Sequence, residues 1–337
     1  MTGACTRDRV VVLGAGSWGT ALAIHLARLG HPVALWAHRS GHAATLAAER
    51  CNRRYLPGVV FPDGLTVEAD LARAVSERDV LLIAVPSHAL RELLGHLKPL
   101  IQEDVRIVWA TKGLEQVSGW LPHQVVEDVL GARSVAAISG PTFAREVADG
   151  LPAAVVVASV DAPLAIEVAE LFHDGRFRAY TSSDLIGVEV GGAVKNVLAI
   201  ATGAADGLRF GANSRAALIT RGLAEITRLG LALGGQASTF MGLAGLGDLV
   251  LTCTDDQSRN RRMGLALARG LSVAQAQEEI GQVVEGVQAA SAVWALARRA
   301  GVRMPITEQV HRILHEGVSP QEAVAILTRG PAKPEFA

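Results

Sequence analysis

The sequence predicts an α/β fold: an N-terminal, doubly wound sheet of the Rossmann type over residues 1–183, followed by an all-α domain over residues 184–337. Three observations carry this expectation. Short β-rich runs alternate with helical stretches between residues 9 and 181, a glycine triplet stands between the first run and the first helix, and from about residue 184 the β-rich runs cease. A chain of 337 residues is long enough for two cores.

The elements follow in order. "RVVVLGAG", "PVALWA", "DVLLIAVP", "VRIVWATKG", "SVAAISGP", "AAVVVAS" and "FRAYTS" are short apolar runs rich in β-branched residues. Such runs suit strands buried on both faces, and between most of them lie segments such as "SHALRELLGHLKPL" with apolar residues at helical spacing. Strands joined by crossover helices make a largely parallel sheet. The second half reads as a long Gly/Ala-rich helix around Lys195, one near 212–233, one after Ser258 and one near 286–300. A last short helix opens at "SPQE", with Ser319 as N-cap, Pro320 at N1 and Glu322 placed for a capping box. The cleft between the halves is the expected ligand site.

Composition excludes several classes. A net charge of −1 gives no pull toward nucleic acid or an anionic membrane. Cys5, Cys51 and Cys253 are too scattered for a metal spacing or a disulfide framework and fit a reducing cytoplasm. No uninterrupted apolar run of about 18 residues occurs, so neither a membrane span nor export is expected.

The first turn points to a cofactor. Gly14, Gly16 and Gly19 form G-x-G-x-x-G between a strand and a helix: Gly14 for the tight turn, Gly16 for approach of a pyrophosphate, Gly19 for close helix packing. The next strand ends in His38 and Arg39, where an NAD-selective domain usually has an acid for the ribose 2′-hydroxyl. A cationic pair there favours NADP(H), and use of NAD(H) stays open.

The chemistry is read from lysine. Only Lys98, Lys112, Lys195 and Lys333 occur, so the remaining 28 of the 32 basic residues are arginine. Lys195 lies in "GGAVKNVLAI", an apolar run in which an unused ammonium would be costly. Lys112 follows a strand. Reduction of a ketone needs a proton and stabilisation of the charge growing on oxygen, and ammonium groups supply both. Ser258, Arg259 and Asn260, at a helix start, make an anion site, with a solvated helix face as the alternative. Asp248 sits in an apolar, glycine-rich bend, to pair with a site cation, orient a hydroxyl or cap a turn. Glu285 could cap the helix that follows it.

Taken together, "VLGAGSWGTALA", "VPSH", "WATKGLE", "ISGPTFA", "GVEVGGAVKNVLAI", "GANSRAALITRGLAE", "GLAGLGDLVLTCT", "SRNRR" and "GQVVEG" closely resemble the bacterial NAD(P)-dependent glycerol-3-phosphate dehydrogenases, in that family's order from about residue 9 to 328. The resemblance implies interconversion of dihydroxyacetone phosphate and sn-glycerol 3-phosphate for phospholipid synthesis. By the same resemblance, Lys195 is the proton donor and acceptor, and Lys112 touches both substrate and cofactor. Gly140, Thr142, Asp248, Ser258, Arg259 and Asn260 belong to the substrate. Gly14, Gly16, Ser17, Trp18, Gly19, His38, Arg39, Ala144, Arg259, Val283 and Glu285 belong to the cofactor. The rivals are a two-domain β-hydroxyacid dehydrogenase of the 6-phosphogluconate or hydroxyisobutyrate type, and a non-catalytic NADPH-binding regulator. A helical half that also forms a homodimer is compatible with catalysis.

Overall fold

The structure, a computed structural model, describes residues 7–328; Cys5, Lys333 and the tail beyond Arg329 lie outside them. Ten strands occur among the described residues: β1 (Val10–Leu13), β2 (Val33–Trp36), β3 (Cys51–Asn52), β4 (Leu56–Val60), β5 (Leu65–Glu68), β6 (Val80–Ile83), β7 (Arg106–Trp109), β8 (Val135–Ser139), β9 (Ala153–Ala158) and β10 (Phe177–Ser182). Eight of them form one sheet in the order β10-β9-β8-β7-β6-β1-β2-β5, and β3 pairs with β4 as a separate hairpin. Pairing in the large sheet is parallel except between β8 and β9. Every residue of β1, β2 and β6 is buried, because helices cover both faces of the sheet.

β1 is flanked by β2 on one side and β6 on the other. The chain therefore winds outward in both directions from β1, and the loop after β1 lies at the switch point where such sheets bind ligands. One apolar layer packs the helix Ser17–Arg28 on one face, and another packs Leu90, Leu94, Val125 and Val126 on the other.

The expected fold class is borne out: after Ser182 the described residues form helices around a third apolar cluster. Its axis is the helix Leu185–Gly207, whose N-terminus is capped by the Asp184 carboxylate accepting from the Gly187 N–H at 2.8 Å. Helix Arg259–Ala268 crosses it backbone to backbone. A Cβ on Gly203 would lie 2.0 Å from the Arg261 carbonyl oxygen, and one on Gly264 would lie 2.1 Å from that of Ile200. The glycines are therefore what lets the two axes meet. Helices Gly211–Ala232 and Glu285–Arg299 pack alongside.

At the far end, the Ser319–Glu322 capping box forms: the Glu322 N–H donates to Ser319 Oγ at 3.2 Å, and Glu322 Oε2 accepts from the Ser319 N–H at 3.0 Å. Two stretches, 185–207 and 237–254, are apolar and long enough to cross a membrane by length and composition. The first is 89% buried within the fold. Its Lys195 and the second stretch's Asp248 are joined by an ion pair inside the protein.

Candidate active site

The glycine loop sits between β1 and the helix Ser17–Arg28. Gly14 has φ of +123°, and a Cβ there would lie 2.7 Å from the Ala84 carbonyl oxygen, so the turn admits only glycine. Gly19 abuts the Gly14 carbonyl in the same way, at 2.0 Å. Gly16 differs, since a Cβ on it would meet no protein atom within 4 Å. The fold does not require that glycine, and the open space over its backbone fits the close approach of a pyrophosphate. No side chain caps the helix at Gly16, which leaves the first-turn N–H groups to a pyrophosphate. Trp18 and Ala144 pack against the same apolar layer, and Trp18 Nε1 is buried without a hydrogen-bond partner. Ser17 starts this helix; His38 and Arg39 are exposed just beyond β2. The residues thus fit a dinucleotide whose hydride chemistry the protein does not itself possess.

The lysines converge. Lys112, in the loop after β7, donates to Asp248 Oδ2 at 2.6 Å, and Lys195 donates to Asp248 Oδ1 and to Thr252 Oγ1, the latter at 3.0 Å. A single carboxylate, 1% exposed, bridges two ammoniums that belong to different halves of the protein. Burial on its own would raise the Asp248 pKa, but Lys112 and Lys195 more than offset that and hold it below its ordinary value. Burial also acts on Lys195. Aided by the repulsion from Lys112 and opposed by Asp248, it pushes the ammonium down to about 8. A lysine in that range exchanges its proton near neutral pH.

Local sequence explains how these groups come together. A Cβ on Gly191 would lie 2.5 Å from the Ala244 carbonyl oxygen, and one on Gly192 would press on Ser139 Oγ and the Lys112 stem at 3.3–3.6 Å. The two glycines let the lysine helix touch both the Asp248 segment and the sheet. The Asp248 segment is not the simple bend expected of it: Leu243–Gly247 is a π-helical turn running directly into the helix Asp248–Thr254. Gly140, at φ +150°, leads β8 into Pro141, which packs near Gly247. Thr142 Oγ1 donates to the Gly140 carbonyl at 3.3 Å.

The anion segment begins at Ser258, which caps the helix Arg259–Ala268 by accepting from the Arg261 N–H at 3.2 Å. Arg259 is half-buried and has no hydrogen bond or ion pair among the described residues. Asn260 is engaged: its Nδ2 donates to Asn196 Oδ1 at 2.9 Å, and its Oδ1 accepts from the Gly286 N–H at 2.8 Å. Asn196 Nδ2 in turn donates to Glu285 at 3.1 Å. Glu285 therefore faces Asn196 rather than capping its own helix, which has no side-chain cap. A narrow cleft between the halves is lined by Ser87, Lys112 and Gly113 on one wall and Asn196, Val283 and Glu285 on the other.

Lys112, Lys195, Asp248, Asn260, Val283 and Glu285 are thus gathered at one place. His38 and Arg39 lie apart, at the end of β2. Asn196 and Thr252 were not singled out from sequence, although Asn196 directly follows Lys195 and Thr252 stands one helical turn after Asp248. The buried Glu189 is a third such residue, accepting from the His123 N–H at 2.9 Å and pairing with the His123 ring, so tying the lysine helix to the first domain.

Residues 9–165 match the pattern of the NAD-dependent glycerol-3-phosphate dehydrogenase N-terminus, and residues 184–325 match that of its C-terminus. The chain is 57% identical over 320 residues to the glycerol-3-phosphate dehydrogenase [NAD(P)+] of Pseudoalteromonas translucida, covering 94% of this chain and 96% of that protein. It is 57% identical over 323 residues to the enzyme of the same name from Aeromonas salmonicida, covering 95% and 97%. The crystal structure of glycerol-3-phosphate dehydrogenase from Coxiella burnetii superposes with a TM-score of 0.94 at 51% identity, covering 96% of this chain and 99% of that one. Two lysines meeting on one carboxylate beside a dinucleotide loop are thus features of a chain that belongs to the NAD-dependent glycerol-3-phosphate dehydrogenase family.

Proposed function

We propose that Lys195 is the proton donor and acceptor in the glycerol-3-phosphate dehydrogenase [NAD(P)+] activity that membership of this family carries. The substrate pair is dihydroxyacetone phosphate and sn-glycerol 3-phosphate, and the product feeds glycerophospholipid synthesis. The observation that carries the assignment is the position of the Lys195 ammonium, buried in the cleft and bonded to Asp248 and Thr252, where burial pushes its pKa down to about 8.

The nicotinamide cofactor, when bound, would supply hydride chemistry at C2 of the ketone. Lys195 gives its proton to the C2 oxygen and is left as a neutral amine; in the reverse direction that amine takes the hydroxyl proton. Lys112, bonded to the other oxygen of Asp248, reaches the same place and anchors the substrate. Asp248 balances the two cations and fixes where they point. Ser258, Arg259 and Asn260 hold the phosphate, with Gly140 and Thr142 at the substrate's other side, so that a group distant from C2 orients it. Gly14, Gly16, Ser17, Trp18, Gly19, His38, Arg39, Ala144, Val283 and Glu285, with Lys112 and Arg259, hold the cofactor, and the cationic end of β2 favours NADP(H) over NAD(H). The domain boundary falls between residues 183 and 184, with both domains contributing to the site, in a cytoplasmic enzyme proposed to be a homodimer, which sedimentation of the purified chain tests.

The direct test is NADPH oxidation with dihydroxyacetone phosphate by wild type and Lys195→Met. The variant loses on the order of 10²-fold or more in kcat while still binding NADPH. Turnover within a few-fold of wild type would remove Lys195 from the chemistry.

A further inference from the structure

Beside the end of β2 runs a groove of about 480 Å³ whose lining includes Arg39, His42, Glu49, Asn52, Arg53 and Arg54. Its lower wall is the β3–β4 hairpin, which the sequence pattern had left unread. We infer that this hairpin, through Arg54 acting together with Arg39, is the element that reads a phosphate on the 2′ position of the adenosine ribose. The inference rests on the reading that the end of β2 receives that part of the cofactor.

The charge of the groove supports it. Glu49 is the acid in its lining, and Arg53 Nε holds it at 3.0 Å. The charge of Glu49 is thereby offset by Arg53 and does not offset Arg39 or Arg54. Arg39 and Arg54 form no ion pair or side-chain hydrogen bond among the described residues. Two unbalanced guanidiniums on one groove suit a phosphomonoester dianion and gain little from a neutral hydroxyl.

The geometry supports it too. The Arg54 guanidinium lies over the Tyr55 ring, 5.2 Å from its centroid, and the Tyr55 ring meets the His42 ring edge-on at 5.6 Å. Arg54 is thereby oriented rather than left to sweep through solvent. The His42 ring, whose Nε2 is shielded from water, backs the Tyr55 ring from the protein side. Asn52, buried, donates to the Ala15 carbonyl at 3.0 Å and to Thr20 Oγ1 at 2.8 Å. Those bonds stitch the hairpin to the glycine loop. The distance between pyrophosphate and 2′-phosphate subsites is therefore set by the fold and not by loop mobility.

The experiment measures kcat/KM for NADPH and for NADH in wild type, Arg39→Ala and Arg54→Ala, with calorimetric binding of 2′,5′-ADP and 5′-AMP to each. Arg54→Ala is expected to lower the NADPH-to-NADH ratio of kcat/KM about tenfold or more, the scale of one charge-assisted hydrogen bond. NADH and 5′-AMP stay within about twofold of wild type, while 2′,5′-ADP weakens in parallel with NADPH. If Arg39→Ala lowers the ratio and Arg54→Ala does not, the β2 loop reads the phosphate alone and the hairpin assignment is overturned. If neither variant changes the ratio, or wild type binds 2′,5′-ADP no better than 5′-AMP, the underlying reading of the β2 end falls with it.

Discussion

Replacing Asp248 by asparagine keeps the shape of the side chain and removes the charge shared by both lysines. The carboxylate lies 2.6 Å from Lys112 Nζ and is bonded to Lys195 as well. Unit charges about 3 Å apart at an effective dielectric near 20 attract by about 5 kcal/mol. Losing one partner of a buried pair costs about 3–5 kcal/mol, so the variant cannot keep both ammoniums charged without a large penalty. Lys195, the more buried of the two, is the one that sheds its proton. Loss of the opposite charge at contact lowers the Lys195 pKa further, below the wild-type value of about 8. The sign follows from the chemistry. Reduction needs the ammonium, so wild-type kcat/KM for dihydroxyacetone phosphate declines as pH rises through about 8, and in Asp248→Asn the decline starts at the lower value. Oxidation needs the neutral amine, so its rising limb shifts down by the same amount. Profiles of kcat/KM against pH in both directions measure the limb independently of its height. A limb that stays in place or moves upward, with NADPH binding intact, would refute the assignment of that limb to Lys195.

Two further perturbations test the frame around it. Gly203→Ala places a methyl group 2.0 Å from the Arg261 carbonyl oxygen. Overpacking of this kind costs about 1–3 kcal/mol, against a helix-propensity gain of about 1 kcal/mol. Urea denaturation should show a net loss of stability and assays a lower kcat, and a variant as stable as wild type would show that the two helix backbones are not in contact. Arg259→Ala breaks no ion pair among the described residues, so Tm should hardly change, while KM for dihydroxyacetone phosphate rises about 10–100-fold for the loss of a charge-assisted contact. An unchanged KM and kcat would remove Arg259 from the phosphate site.

How much of this was legible in the sequence depended on how far each feature is local. β1, β2 and β6 could be read because all their residues are buried and apolar. β4 and β5 could not: β4 is "LPGVV" with three of five residues exposed, and β5 is half-exposed "LTVE", so neither presents an apolar run. Lys195 stood out because lysine is scarce and its neighbours are apolar. Its partnership with Lys112 and Asp248 could not be read, since those residues are 83 and 53 positions away and periodicity fixes a face, not what the face meets. The π-helical turn escaped for a related reason. It depends on Gly245, whose Cβ would lie 2.2 Å from the Phe240 carbonyl oxygen, a contact the sequence does not announce.

The Glu285–Asn196–Asn260–Gly286 chain has a polarity. One end is a carboxylate, which when ionised only accepts, and the other is a backbone N–H, which only donates. Between such ends each amide has a single satisfactory orientation, so neither Asn196 nor Asn260 can flip without breaking two bonds. Each amide oxygen is turned into the chain by the bond it accepts, and each side chain has a second N–H left to give. The circuit thus converts two ambivalent amides into dedicated donors. A phosphate or ribose oxygen brought to them meets an N–H whose direction the circuit has already fixed.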